Sequence, residues 1–117
     1  MFSIYDFYIS HSQMLLRSAM NESHNYNIDI IFFGVKYISA CVNMSDISIY
    51  ENEDSLINNA FNAYRSSDEK LFTIDSGNTK MFVLCSHFRV YENNMRFEES
   101  SLGFDMSGRE NMVYSSK

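Results

Sequence analysis

Proline is absent from this sequence, and glycine occurs only at Gly34, Gly77, Gly103 and Gly108, so no Pro/Gly-rich linker divides the chain. Cysteine is nearly as scarce. Cys41 and Cys85 show neither C-x-x-C spacing nor a His/Cys cluster around them, which argues against zinc and a disulfide framework. In a reducing compartment both thiols are expected to behave as small core hydrophobes. Positive charge is also short, nine Lys plus Arg against fifteen Asp plus Glu, for a formal charge of −6. That sign opposes direct binding to nucleic acid or to an anionic membrane through phosphate contacts. It attracts basic surfaces, and it also keeps a small domain soluble. No run approaches the roughly 18 apolar residues of a membrane span. The start, Met1-Phe2-Ser3-Ile4-Tyr5-Asp6, lacks a basic n-region and a long apolar h-region. The expectation is a cytoplasmic protein with no membrane contact.

What is present is aromatic and apolar. Ten Phe, eight Tyr and a 45% apolar content give a chain of 117 residues enough side-chain area for one core without metal or disulfide, and no cofactor is expected. Asn and Ser punctuate the chain where Pro and Gly are missing, because both compete locally for backbone hydrogen bonds. Residues 1–103 read as one globular domain and 104–117 as a C-terminal segment, partly frayed.

Met14 to Arg17 is a short apolar segment, Asn21 to Asn25 a turn, and Tyr26 to Ser39 the longest β-prone stretch, with a hairpin between them. Both alternating sets are apolar from Ile28 to Phe33, which predicts a central strand covered on both faces; Gly34 then predicts a bulge or bend. Ser45 to Tyr50 reads as a short strand. Leu56, Ile57, Ala60, Phe61 and Tyr64 fall on one stripe of a helix with Asn52 as its N-cap. Leu71 to Asp75, a turn at Ser76-Gly77-Asn78 and a long strand from Thr79 to Glu92 form a meander. Asn93-Asn94 then predicts a two-residue hairpin turn, with Met95 and Phe97 continuing the inward face. The fold class is α+β: a mostly antiparallel curved sheet of about six strands with one amphipathic helix packed on one face. A closed barrel with an appended helix is the second choice.

Residues that could carry chemistry are sparse. His11, His24 and His87 belong to no metal-binding spacing, and no phosphate-cradling Gly-rich loop, G-x-S-x-G elbow or EF-hand loop occurs. His87, Arg89 and Tyr91 project from one strand face and could cradle a phosphate or carboxylate; the favoured reading is a solvated sheet face paired with carboxylates on its neighbours. A nuclease using two histidines would need His11 beside residues 85–91. Acidic residues do cluster. Asp46, Glu51, Glu53 and Asp54 flank the helix entry, and Glu92, Glu98 and Glu99 flank the last hairpin. If folding brings both groups together, the resulting negative patch would steer a basic partner, with Tyr50 and Tyr91 as anchors.

Tyr8-Ile9-Ser10-His11-Ser12-Gln13-Met14-Leu15-Leu16-Arg17-Ser18, followed by Asn27-Ile28-Asp29-Ile30-Ile31-Phe32-Phe33-Gly34-Val35-Lys36-Tyr37, resembles the small acidic immunity proteins encoded beside bacterial polymorphic toxins of contact-dependent or Rhs type. The resemblance implies a cytoplasmic, non-enzymatic protein that neutralises a cognate toxin domain, for instance a basic nuclease, by occluding its active site. It transfers no particular residue. Two other function classes stand beside it: a small hydrolase or nuclease using His87 and Arg89, and a self-associating structural module joined through a sheet edge. Oligomeric state and strand order are left open.

Overall fold

The computed structural model describes residues 1–39, 41–77 and 79–117. Among them ten strands form two antiparallel sheets. The first takes β1 (Phe2–Tyr8), β2 (Gln13–Ser18), β3 (Asn27–Phe33), β5 (Asn43–Met44), β9 (His87–Asn93) and β10 (Met112–Ser115), in the order β10-β9-β3-β2-β1-β5. The second takes β4 (Tyr37–Ser39), β6 (Ser48–Glu51), β7 (Lys70–Ser76) and β8 (Thr79–Cys85), in the order β4-β8-β7-β6. One α-helix, α1 (Ser55–Ala60), lies between β6 and β7. The molecule is therefore mainly β with two sheets, which corrects the single curved sheet with a packed helix.

The two sheets are joined at one corner. β3 leaves the first sheet at Gly34 and continues as β4 in the second, while β8 leaves the second at Ser86 and continues as β9 in the first. Ser86 N donates to Phe33 O at 2.9 Å and Lys36 N to Leu84 O at 2.8 Å, so both crossings are tied together. Gly34 has φ +65°, and a Cβ there would stand 3.2 Å from that of Ser86. Only glycine takes this backbone without strain, which is why the bend predicted there forms. Ser86 also resets the alternation. Met81, Val83 and Cys85 face the core before it, Phe88 and Val90 after it, so the unbroken face expected along Thr79 to Glu92 is divided in two.

The core lies between the sheets. Met14, Leu16, Ile30, Phe32 and Phe88 from the first pack against Phe72, Ile74, Met81, Val83 and Cys85 from the second. Phe72 meets Phe88 edge-on at 5.1 Å. Each such fully buried side chain contributes roughly 1.5–3 kcal/mol relative to exposure. β3 is central, and its other face is also covered: Ile31 and Leu15 are buried with Tyr91 beneath Leu102. Leu102 belongs to the long connection 94–111, which crosses the outer face of the first sheet as a strap. Asn93-Asn94 is thus no hairpin turn, because the chain makes this crossing before returning as β10 against β9. Within 104–117, Met112–Ser115 forms a strand and Ser116 N donates to Phe88 O at 3.0 Å.

The helix departs furthest from expectation. It spans six residues, buries none of them, and leaves Leu56 82% exposed and Tyr64 61% exposed. Asp54, not Asn52, is its N-cap, accepting from the backbone N–H of Leu56 and Ile57. With β-strands on both sides supplying the core, the apolar stripe had nothing to cover except the rim of the second sheet, where Phe61 packs on Tyr37 at 4.9 Å. Of the expected turn Ser76-Gly77-Asn78, Asn78 lies outside the described residues. Among the described residues no helix is long and apolar enough to cross a membrane.

Candidate functional site

A notch opens on the outer face of the second sheet, where its edge strand β6 gives way to α1. Tyr50 on β6 stands opposite Thr73 on β7, which stands opposite Phe82 on β8, so three side chains form one row across the sheet. The chain then turns at Asn52. Its backbone N donates to Leu71 O at 2.8 Å and its side-chain amide to Thr73 Oγ1 at 2.8 Å, closing off the strand. Asn52 Oδ1 accepts from Asp54 N at 2.9 Å, and Asp54 Oδ1 accepts from Leu56 N at 2.9 Å and Ile57 N at 3.2 Å. Asn58 Nδ2 returns to Asn52 O at 2.7 Å. Local side-chain bonds of this kind hold a helix too short to persist alone.

The cavity so framed measures about 180 Å³ and is lined by Tyr50, Asn52, Glu53, Asp54, Ile57, Thr73, Lys80 and Phe82. Glu53 is exposed and enters no ion pair among the described residues; Tyr50 is 43% exposed. An aromatic platform with free carboxylate at its rim suits a basic side chain or a basic protein surface.

The remaining predicted residues distribute as follows. Glu51 is beside the notch but reaches Lys70 at 3.6 Å, and Asp46 is exposed in the link before β6. Glu92 lies on β9 and lines a separate notch with Tyr26 and Asn111. Glu98 and Glu99 both turn to Arg96, at 3.1 and 3.5 Å. Tyr91 is 4% exposed beneath Leu102 and cannot serve as an anchor. The structure therefore brings Tyr50, Glu53 and Asp54 around one cavity on the second sheet, turns Glu51 to the other face of β6, and leaves Glu92, Glu98 and Glu99 on the first sheet and its strap. The single contiguous patch expected from the sequence is not formed.

The histidines are likewise divided. His87 pairs with Phe33 across β9 and β3, while His11 packs on Tyr8 and Phe104 at 4.8 and 5.1 Å. β3 and β2 separate β9 from β1, three interstrand steps of about 4.8 Å each. A two-histidine proton relay would need the two rings in hydrogen-bond reach. Burial holds His87 below its ordinary range, helped by Arg89 and Lys117. Cys85 is fully buried and its thiol is pushed up to about 12 by burial, with Glu69 adding to it. Cys41 is exposed, which corrects its placement in the core.

Two features escaped the sequence reading. Arg17 and Asp29 are buried and form a two-pronged ion pair at 2.6 and 2.8 Å. Burial works against the Arg17 charge, but Asp29 outweighs it and the guanidinium titrates above its ordinary range. The signal was present as a charge inside an apolar strand run, Arg17 after Leu16 and Asp29 between Ile28 and Ile30, since a buried charge needs a partner. The second is the arrival of Arg109 beside the Phe33 ring, where it joins the His87 and Arg89 face already read from β9; Arg109 lies twenty positions beyond Arg89 and had no local signal. Comparison with protein families, curated proteins and solved structures finds no match to this chain.

Proposed function

We propose that this chain is a non-catalytic binding protein of the immunity kind, acting in the cytoplasm, which neutralises a cognate toxin domain by covering its active cleft. It docks through the notch of the second sheet. The observation that supports this reading is the meeting of Tyr50 with Glu53 and Asp54 around one cavity, in a chain of net charge −6. Such an arrangement gives an aromatic anchor and carboxylates that substitute for the phosphates of a nucleic-acid substrate in the cleft of a basic nuclease. Glu92, Glu98, Glu99 and Tyr91 have no part in this contact. The protein is to be co-expressed with the C-terminal domain encoded by the neighbouring reading frame. Growth is expected to be rescued by the native chain and at least about tenfold less efficiently by Tyr50→Ala with Glu53→Lys, a change of one anchor's worth. Equal toxicity with and without the native chain would remove the proposal.

A further inference from the structure

We propose that the outer face of the first sheet holds a binding site for a phosphate-class oxyanion, built by Arg89 and Arg109 around the Phe33 ring. This site is independent of the notch on the second sheet. The Arg89 and Arg109 guanidiniums lie 5.7 and 5.6 Å from the centre of that ring, and His87 stacks on it at 4.7 Å with an interplanar angle of 11°. Three groups able to carry positive charge thus share one aromatic ring in a chain whose net charge is −6. Cations collected in this way repel each other unless an anion lies between them.

No carboxylate of the protein fills that role. Among the described residues neither Arg89 nor Arg109 enters an ion pair, and the Arg89 Nε is buried with no hydrogen-bond partner. A buried guanidinium N–H left without an acceptor is costly, and it is through the terminal nitrogens of Arg89 that an oxygen ligand would be met. Near Arg109 in the chain, Asp105 turns to Ser107 N at 3.1 Å and Glu110 to Gly108 N at 3.3 Å, and Glu92, three residues after Arg89, enters no ion pair with it among the described residues. Arg109 is held in place through its Nε on Ser101 O at 2.7 Å and one terminal nitrogen on Gln13 Oε1 at 3.3 Å, which leaves its other terminal nitrogen for a ligand. Arg109 and His87 are both held below their ordinary ranges, chiefly by burial, and the charge of Arg89 adds to the lowering of each. Beside Arg109 opens a cavity of about 180 Å³ lined also by Tyr8, His11 and Phe104, large enough for one ring. The anion is therefore either free phosphate or the phosphate of a small aromatic monoester.

The test titrates inorganic phosphate, and separately phenyl phosphate, into the ¹⁵N-labelled protein at constant ionic strength set with chloride. Saturable shifts confined to His87, Arg89, Arg109 and their strand neighbours are expected, with affinity reduced at least about tenfold in Arg89→Gln and in Arg109→Gln, one charged hydrogen bond each. Equal affinities assign free phosphate, and tighter binding of phenyl phosphate assigns the monoester. Shifts that fail to saturate, or that map elsewhere on the native protein, would overturn the site whether or not the variants fold.

Discussion

The two sheets face the same problem on their outer sides and solve it differently. The first sheet is covered by the strap 94–111, and the strap is held by polar bonds that converge on Asp29. Besides its pair with Arg17, Asp29 accepts from Asn93 Nδ2 at 2.9 Å and from Ser101 Oγ at 2.7 Å. Arg17 donates onward to Glu99 O at 2.8 Å, Ser100 Oγ to Asp6 at 2.6 Å, and Asn27 Nδ2 to Met95 O at 2.8 Å. The second sheet is covered by a six-residue helix with no buried residue, and the gap beneath its entry remains an open notch. A cover fastened by a buried polar hub is specific and fails as a unit; a cover made by a loosely seated helix is tolerant and leaves binding surface. The tightly fastened cover thus lies on the first face and the loosely seated one on the second.

The sharpest way to break it is at the hub. Asp29→Ala strands the Arg17 charge at a site where its side chain is 1% exposed, and a loss of about 3–5 kcal/mol is expected in urea unfolding. Replacing both members with apolar residues of similar size, Arg17→Met with Asp29→Leu, should recover much of that loss, because no unpaired charge remains. If Asp29→Ala cost no more than a surface change, the strap would be held by Leu102 and not by the hub.

Next in size is the corner that both sheets share. Gly34→Ala places a Cβ against Ser86 at positive φ, and about 1–2 kcal/mol should be lost from the left-handed backbone. Adding Ser86→Gly removes the Cβ that is met and should return the steric part only. The comparison predicts that this loss is felt equally by both faces, measurable as amide exchange increasing in β3 and β8 together.

On the second face, Asp54→Ala removes the helix cap and should cost about 1 kcal/mol. Exchange protection in β3 and β9 should be unchanged by it. Loss of protection across the first sheet would mean that the two covers are coupled.

How much of this was legible in the sequence follows from which forces are local. The double apolar alternation of Ile28 to Phe33 and the glycine at position 34 act within a few residues, so the central strand, its burial and its bend could be read directly. The stripe Leu56 to Tyr64 was read with equal grounds and stayed mostly exposed, because periodicity reports a capacity to bury a face and not the presence of something to bury it against. The strap was missed for the opposite reason. Its fastening joins Arg17, Asn27 and Asp29 to residues 93–101, contacts more than sixty positions apart that no short pattern records. The acidic groups form two runs in the sequence, but a charge count cannot tell on which sheet, or on which face of it, each carboxylate will stand.

The smallest expected effect concerns the cations gathered around Phe33 on the first face. His87 titrates below its ordinary 6.5 in the folded protein, through burial and then through Arg89 and Lys117. Between its folded value and about 6.5 the unfolded chain binds more protons at this residue than the folded one, so stability should rise with pH across that window. Above it the ring is neutral in both states and the contribution is complete; below the folded value the contribution is lost. Glu69 is also lowered, as a carboxylate beside a cation should be: burial raises it, but the Ser66 N–H and Lys36 outweigh this, so its own contribution fades only as pH falls below its ordinary 4.5. The two windows are therefore separable. Urea midpoints measured from about pH 5 to pH 8 should show a slope that His87→Gln flattens. Saturating phosphate should flatten it too, since an anion beside Arg89 and Arg109 restores the charged imidazole. A slope untouched by either change would mean that the cations around Phe33 do not act on His87 as one group.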